Sequence, residues 1–229
     1  MGAAENPTGS HRYGLVLVLV ITAVLTVSVV PVSGASRLLS TALSGATAVA
    51  ALRAAGARAR VQQIGLVLAL VAVVGAAAAA VTGGSSLTRG ILALTNGAFV
   101  LLAPLVIVRG LVRRVLDHGV DGQVVAGALA VYMMIGLVFG FFVAAISEFS
   151  STPYFVQHAS VTPGEDVYFS FITLSTVGYG DYTPALGIGR GLAILEGVTG
   201  QLYLVTVVAL LIGNLSGRST GRRPLERDG

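Results

Sequence analysis

The sequence predicts an all-α membrane protein of six transmembrane helices, with a short re-entrant helix and an irregular loop between the last two. Composition and spacing carry this reading. The chain of 229 residues is 55% hydrophobic and 10% charged, with a mean hydropathy of +0.87. A water-soluble domain of this size cannot bury that much apolar surface, so lipid is the implied solvent. The apolar residues also fall in runs of about 20, the length that crosses a bilayer core. Absence of cysteine removes disulfides and thiolate metal sites. The formal charge of +4 and pI near 9.9 are explained by membrane topology, so no nucleic-acid partner is expected.

Residues 1–13 are polar, with Glu5 and Arg12, and read as a cytoplasmic leader. The run 14–33 is apolar and, at about 1.5 Å per residue, matches a hydrocarbon core about 30 Å thick. Ser33-Gly34-Ala35 behind it also suits a signal peptidase. The run is long for a signal peptide, so a retained first helix is favoured and cleavage is the alternative. Residues 38–52 are the weakest span, rich in small residues that suit close helix packing. Residues 61–81 and 91–108 are clearer, the second with Pro104, which neighbouring helices accommodate in a membrane. Together, 14–109 read as a four-helix membrane domain.

In 110–121, Leu111, Val112, Val115, Leu116 and Val120 recur at helical spacing, while Arg113, Arg114, Asp117 and Asp121 take the other face. This linker is expected to be an amphipathic helix at the inner membrane interface, serving as a lever or as a passive connector. A second membrane unit over 122–215 holds the fifth span, 124–146, and the sixth, 187–213, which is long enough to tilt. Residues 216–229 read as a short polar tail. Six spans put both termini on one side. Arg37, Arg89 and Arg190 fall opposite, and the other arginines fall with the termini, which marks that side as cytoplasmic in a multi-pass protein of the cell membrane.

Between the last two spans, 148–164 is polar, and Pro163-Gly164 is expected to break the chain before Glu165 and Asp166. Acidic residues favour a helix N-terminus through the helix dipole. A helix over 165–175, about 16 Å long, crosses only half the membrane, and the irregular backbone after it must be buried in protein or line water. Thr176-Val177-Gly178-Tyr179-Gly180-Asp181 follows. Gly178 and Gly180 permit backbone angles that a Cβ resists. Successive carbonyls can then face a common axis and replace an ion's hydration shell, with the Thr176 hydroxyl adding an oxygen. Asp181, just outside, would concentrate cations. One loop cannot surround an ion, so several copies on a symmetry axis are expected.

The stretch 168–184, YFSFITLSTVGYGDYTP, resembles the pore helix and selectivity filter of potassium channels, and residues 176–180 match their TVGYG filter. The resemblance implies a homotetramer in a lipid bilayer that conducts K+ passively and needs no cofactor. The K+ ligands would be the carbonyls of Thr176, Val177, Gly178 and Tyr179, with Gly180 completing the filter and Asp181 at the outer mouth. Tyr168 and Phe169 stand where many voltage-gated members carry a tryptophan pair, and would wall the filter around Tyr179. Ile172 occupies a place where some bacterial channels have a glutamate partner for the outer aspartate, so Asp181 takes another donor, assigned to the Tyr168 hydroxyl.

In the sixth span, Gly200 aligns with the hinge glycine of many inner helices. Gln201, Leu204, Val208 and Ile212 form a stripe suited to an inner cavity, with Val208 and Ile212 as a dewetting gate. Glu196 is the one carboxylate well inside a span, expected behind the filter as support, bonded to pore-helix hydroxyls such as that of Thr173. The layout resembles voltage-gated channels, yet 91–108 contains no Arg, Lys, Asp or Glu, so little intrinsic voltage dependence is expected. The alternatives are a less selective cation channel and a non-conducting membrane scaffold or sensor. An enzyme is not indicated, because His11, His118 and His158 are isolated from any nucleophile or carboxylate constellation.

Overall fold

The computed structural model describes residues 12–30, 33–158 and 160–219. Within them the chain forms α1 (Arg12–Val29), α2 (Gly34–Ala54), α3 (Ala59–Thr82), α4 (Ser86–His118), α5 (Gly122–Phe149), α6 (Pro163–Leu174) and α7 (Gly187–Ser219). Among the described residues there is no strand, and one isolated antiparallel bridge joins Phe155 to Pro184. Among the described residues, four helices are long and apolar enough to cross a membrane: Arg12–Val29, Ala59–Thr82, Ser86–Leu116 and Gly122–Phe149. Leu38–Ala54 is a shorter apolar helix. The described part of α7 mixes Glu196, Thr199 and Gln201 with its apolar residues.

The bundle is packed with small and β-branched side chains. Val16 and Val20 of α1, Ala48 and Ala51 of α2, Phe99, Ala103 and Ile107 of α4, and Val131, Met134 and Leu137 of α5 share one buried cluster. Leu15, Val18, Leu70, Val74 and Leu105 point outward, as expected of a protein solvated by lipid. The first four helices pack on their own chain's second unit: α4 lies along α5, while α1 touches both α5 and α6. The seat for α6 on α5 is Gly136, where a Cβ would come within 2.8 Å of the Phe171 ring. Small residues let membrane helices approach this closely.

The linker 110–121 departs from expectation. It forms no separate interfacial helix but continues α4 to His118 without interruption. Gly110 is not a breaker here; a Cβ on it would meet the Tyr13 hydroxyl at 3.0 Å, so its smallness serves packing. The turn comes at Gly119, with φ 78°, a left-handed angle that glycine adopts without strain. Asp121 then caps α5, its Oδ1 accepting from the Val124 amide at 2.9 Å. The Arg114 guanidinium reaches Asp121 Oδ2 at 2.7 Å across the elbow. Burial works against ionisation of Asp121, but the bonds from Arg114 and the Val124 amide outweigh it and hold the carboxyl below its usual range. At the opposite end of the α4–α5 hairpin, Arg89 Nε pairs with Glu148 Oε1 at 2.7 Å.

Candidate functional site

Helix α6 begins two residues before its expected start. Thr162 is its N-cap, Thr162 and Glu165 form a reciprocal capping box, and Pro163 takes the first helical position, where a missing N–H costs nothing. Pro163 therefore opens the helix instead of breaking the chain ahead of it. Glu165 stays accessible and accepts from the Tyr182 hydroxyl at 2.8 Å. Burial, then this bond, pushes the Tyr182 phenol up to about 12. Asp166 is buried, and its Oδ1 has no partner among the described residues.

From the end of α6 the chain turns into the loop through Thr176 N–H bonded to Thr173 O (3.0 Å) and Gly178 N–H bonded to Ile172 O (3.1 Å). Thr176, Gly178 and Gly180 have φ of 59°, 51° and 81°, while Val177 and Tyr179 stay negative. Alternating hands turns successive carbonyls to one side, where an ordinary strand would alternate them. Thr176 is the one described non-glycine residue with positive φ, a strained angle that a β-branched residue holds only when its surroundings demand it. Its hydroxyl donates to Ser175 O at 2.7 Å and accepts from Gln201 Nε2 of α7 at 3.3 Å. Residues 176–181 are all exposed, Tyr179 to 72%, and a Cβ on Gly178 or Gly180 would touch nothing within 4 Å. The loop is thus strained, partly apolar and bare on one side.

The outer end of the loop is clamped by a segment read from sequence only as polar. Gln157 donates to Gly180 O (3.3 Å) and Thr183 Oγ1 (2.8 Å) and accepts from Thr183 N–H (3.0 Å). Tyr154 and Phe155, from the same segment, are buried with Phe169 and Val143. Phe169 accordingly faces Phe155, ring centres 5.0 Å apart, and packs in this cluster. Tyr168 donates to Asp181 Oδ2 at 2.8 Å, the pairing assigned from sequence.

Behind α6, Glu196 meets a hydroxyl of that helix as expected, that of Ser170 and not of Thr173. Its Oε1 meets the Ser170 hydroxyl, one turn before Thr173, and Ser170 Oγ also reaches Gly136 O at 2.6 Å. Ser170 and Glu196 are fully buried, and Glu196 Oε2 has no partner among the described residues. Gly200 lies within uninterrupted α7 against the end of α6; a Cβ on it would stand 2.3 Å from Leu174 O. Tyr132 and Tyr203, unassigned from sequence, reinforce the joint by donating to Leu174 O (3.3 Å) and Ala128 O (2.6 Å). Val208 and Ile212 fall in α7, but their side chains lie outside the described residues, as does all of His11.

Residues 128–216, from within α5 through the loop into α7, match a family model described as ion channel. Over this stretch the chain is similar to ion channels. Neither the curated proteins nor the solved structures offer a match. The match covers the loop and every element that holds it, which supports an ion channel built into a multi-pass membrane protein.

Proposed function

We propose that the chain is one subunit of a homotetrameric, potassium-selective channel. The observation that carries the reading is the alternation of backbone hand from Thr176 to Gly180 in a loop left uncovered by its own chain. Four such loops around an axis would present rings of carbonyl oxygens from Thr176, Val177, Gly178 and Tyr179, replacing the water around a dehydrated K+. Gly180 supplies the last turn of the filter, and Asp181, oriented by Tyr168, draws cations to the mouth. The α6 C-terminus, ending at Leu174, directs its negative dipole end at the cavity below. Ser170, Glu196 and Gly200 brace α6 from behind, while Val208 and Ile212 close the inner end.

All six long helices cross the cell membrane in this reading, with the termini in the cytoplasm. Voltage gating is weak, because the span 91–108 holds no charge to move through the field. Purified protein in liposomes, assayed by tracer uptake, tests the proposal. Potassium uptake that barium blocks and sodium does not share is expected; equal sodium uptake would indicate a less selective cation channel, and no uptake a non-conducting scaffold.

A further inference from the structure

We propose that an arginine-lined cavity beside the α4–α5 elbow binds the phosphate headgroup of an anionic membrane lipid. The cavity, of about 930 Å³, lies among the start of α1, the α2–α3 turn and the final turns of α4. Arg12, Arg58, Arg109, Arg113 and Arg114 line it, together with Tyr13. Of these five arginines, only Arg114 has a carboxylate within ion-pair distance among the described side chains, that of Asp121. Five guanidiniums around one hollow repel one another unless an anion sits between them, and their planar forks match phosphate oxygens in pairs. Helix α3 also begins here with no side-chain cap on its first amides, adding the positive end of its dipole.

The helix surface beside the cavity favours a lipid over a soluble phosphate. Leu105, Val108 and Val112 of α4 and Ile64 of α3 are exposed on the helices that carry these arginines. A ligand with a phosphate head and an apolar tail satisfies both surfaces. The inference rests on the orientation proposed above, which sets the cavity at the cytoplasmic leaflet, where anionic lipids meet basic clusters between membrane helices. The site also connects to the elbow before α5: Tyr13 N–H donates to Gln123 Oε1 at 3.1 Å, and Arg114 holds Asp121. An occupant shares Arg114 with the cap of α5.

The test uses full-length protein purified in detergent, stripped of lipid, and titrated separately with phosphatidic acid, phosphatidylcholine and inorganic pyrophosphate, with bound ligand counted by native mass spectrometry. Arg109 and Arg113 are exposed, so the Arg109→Gln/Arg113→Gln protein should fold, which an unchanged elution profile checks. That variant should bind phosphatidic acid about tenfold more weakly or worse. Arg60→Gln, a nearby arginine outside the cavity, should bind as the parent does, and phosphatidylcholine should not be retained. Equal binding by the double variant, or an equal loss in Arg60→Gln, would overturn the site. Pyrophosphate binding as tightly as phosphatidic acid would overturn the lipid as its source. Binding is read without conduction, so a failure here leaves the channel proposal standing.

Discussion

Alanine at Gly200 probes the joint between α7 and the end of α6. The added Cβ would stand 2.3 Å from Leu174 O, 3.0 Å from Leu174 Cδ1 and 3.2 Å from Leu174 C. A comfortable carbon–oxygen contact is about 3.3 Å, so the two helices must part by about 1 Å. The atom in the way is backbone, already held by the Tyr132 hydroxyl, and cannot rotate aside. Overpacking of this kind costs about 1–3 kcal/mol, and the helix preference of alanine over glycine returns about 0.5–1 kcal/mol. A net loss of about 1–2 kcal/mol is expected, with the displacement passed to Thr176 two residues on. Gly197 provides the contrast, since its Cβ would meet only Thr173 O at 3.8 Å, so Gly197→Ala should be neutral or slightly stabilising. Thermal unfolding of the purified proteins, paired with potassium uptake in liposomes, reads both. Gly200→Ala with parental stability and uptake, or Gly197→Ala with an equal loss, would refute the packing argument; parental stability with altered uptake would favour a plain hinge.

Ser170→Ala should destabilise by about 1–3 kcal/mol, because it strands the buried Glu196 carboxyl; Glu196→Gln, which keeps an oxygen to accept from the serine, should cost less, and unfolding measurements on both variants check the order. Tyr168→Phe removes the donor to Asp181 and should speed inactivation during sustained potassium currents, so an unchanged time course would exclude a supporting role. Asp121 has a lowered folded pKa, so its stabilising effect is present above the ordinary carboxylate range and lost as pH falls through that lowered value. Acidification should therefore lower the melting temperature more for the parent than for Asp121→Asn, which keeps the cap but not the ion pair.

Sequence alone announced the helices and the loop because both depend on local chemistry. Long apolar runs can only be membrane or core, and Gly178 and Gly180 at alternate positions mark a special backbone. The strained Thr176 escaped notice, since threonine carries no signature of positive φ. Tertiary contacts were the least legible. Glu196 was rightly sent behind the loop but to Thr173, because spacing along α6 cannot separate residues one helical turn apart on the same face. Nothing in 148–164 signals that Tyr154 and Phe155 fold inward against Phe169. The continuous α4 was missed for a similar reason: Gly110 reads as a boundary until Tyr13, distant in sequence, explains its lack of a side chain.

The most direct measurement is the reversal potential of the purified protein in a planar bilayer with potassium on one side and sodium on the other. Carbonyl rings from four identical loops predict a reversal potential near the potassium limit, and its collapse in Gly178→Ala. A value near zero in the parent, or full selectivity in Gly178→Ala, would contradict the account.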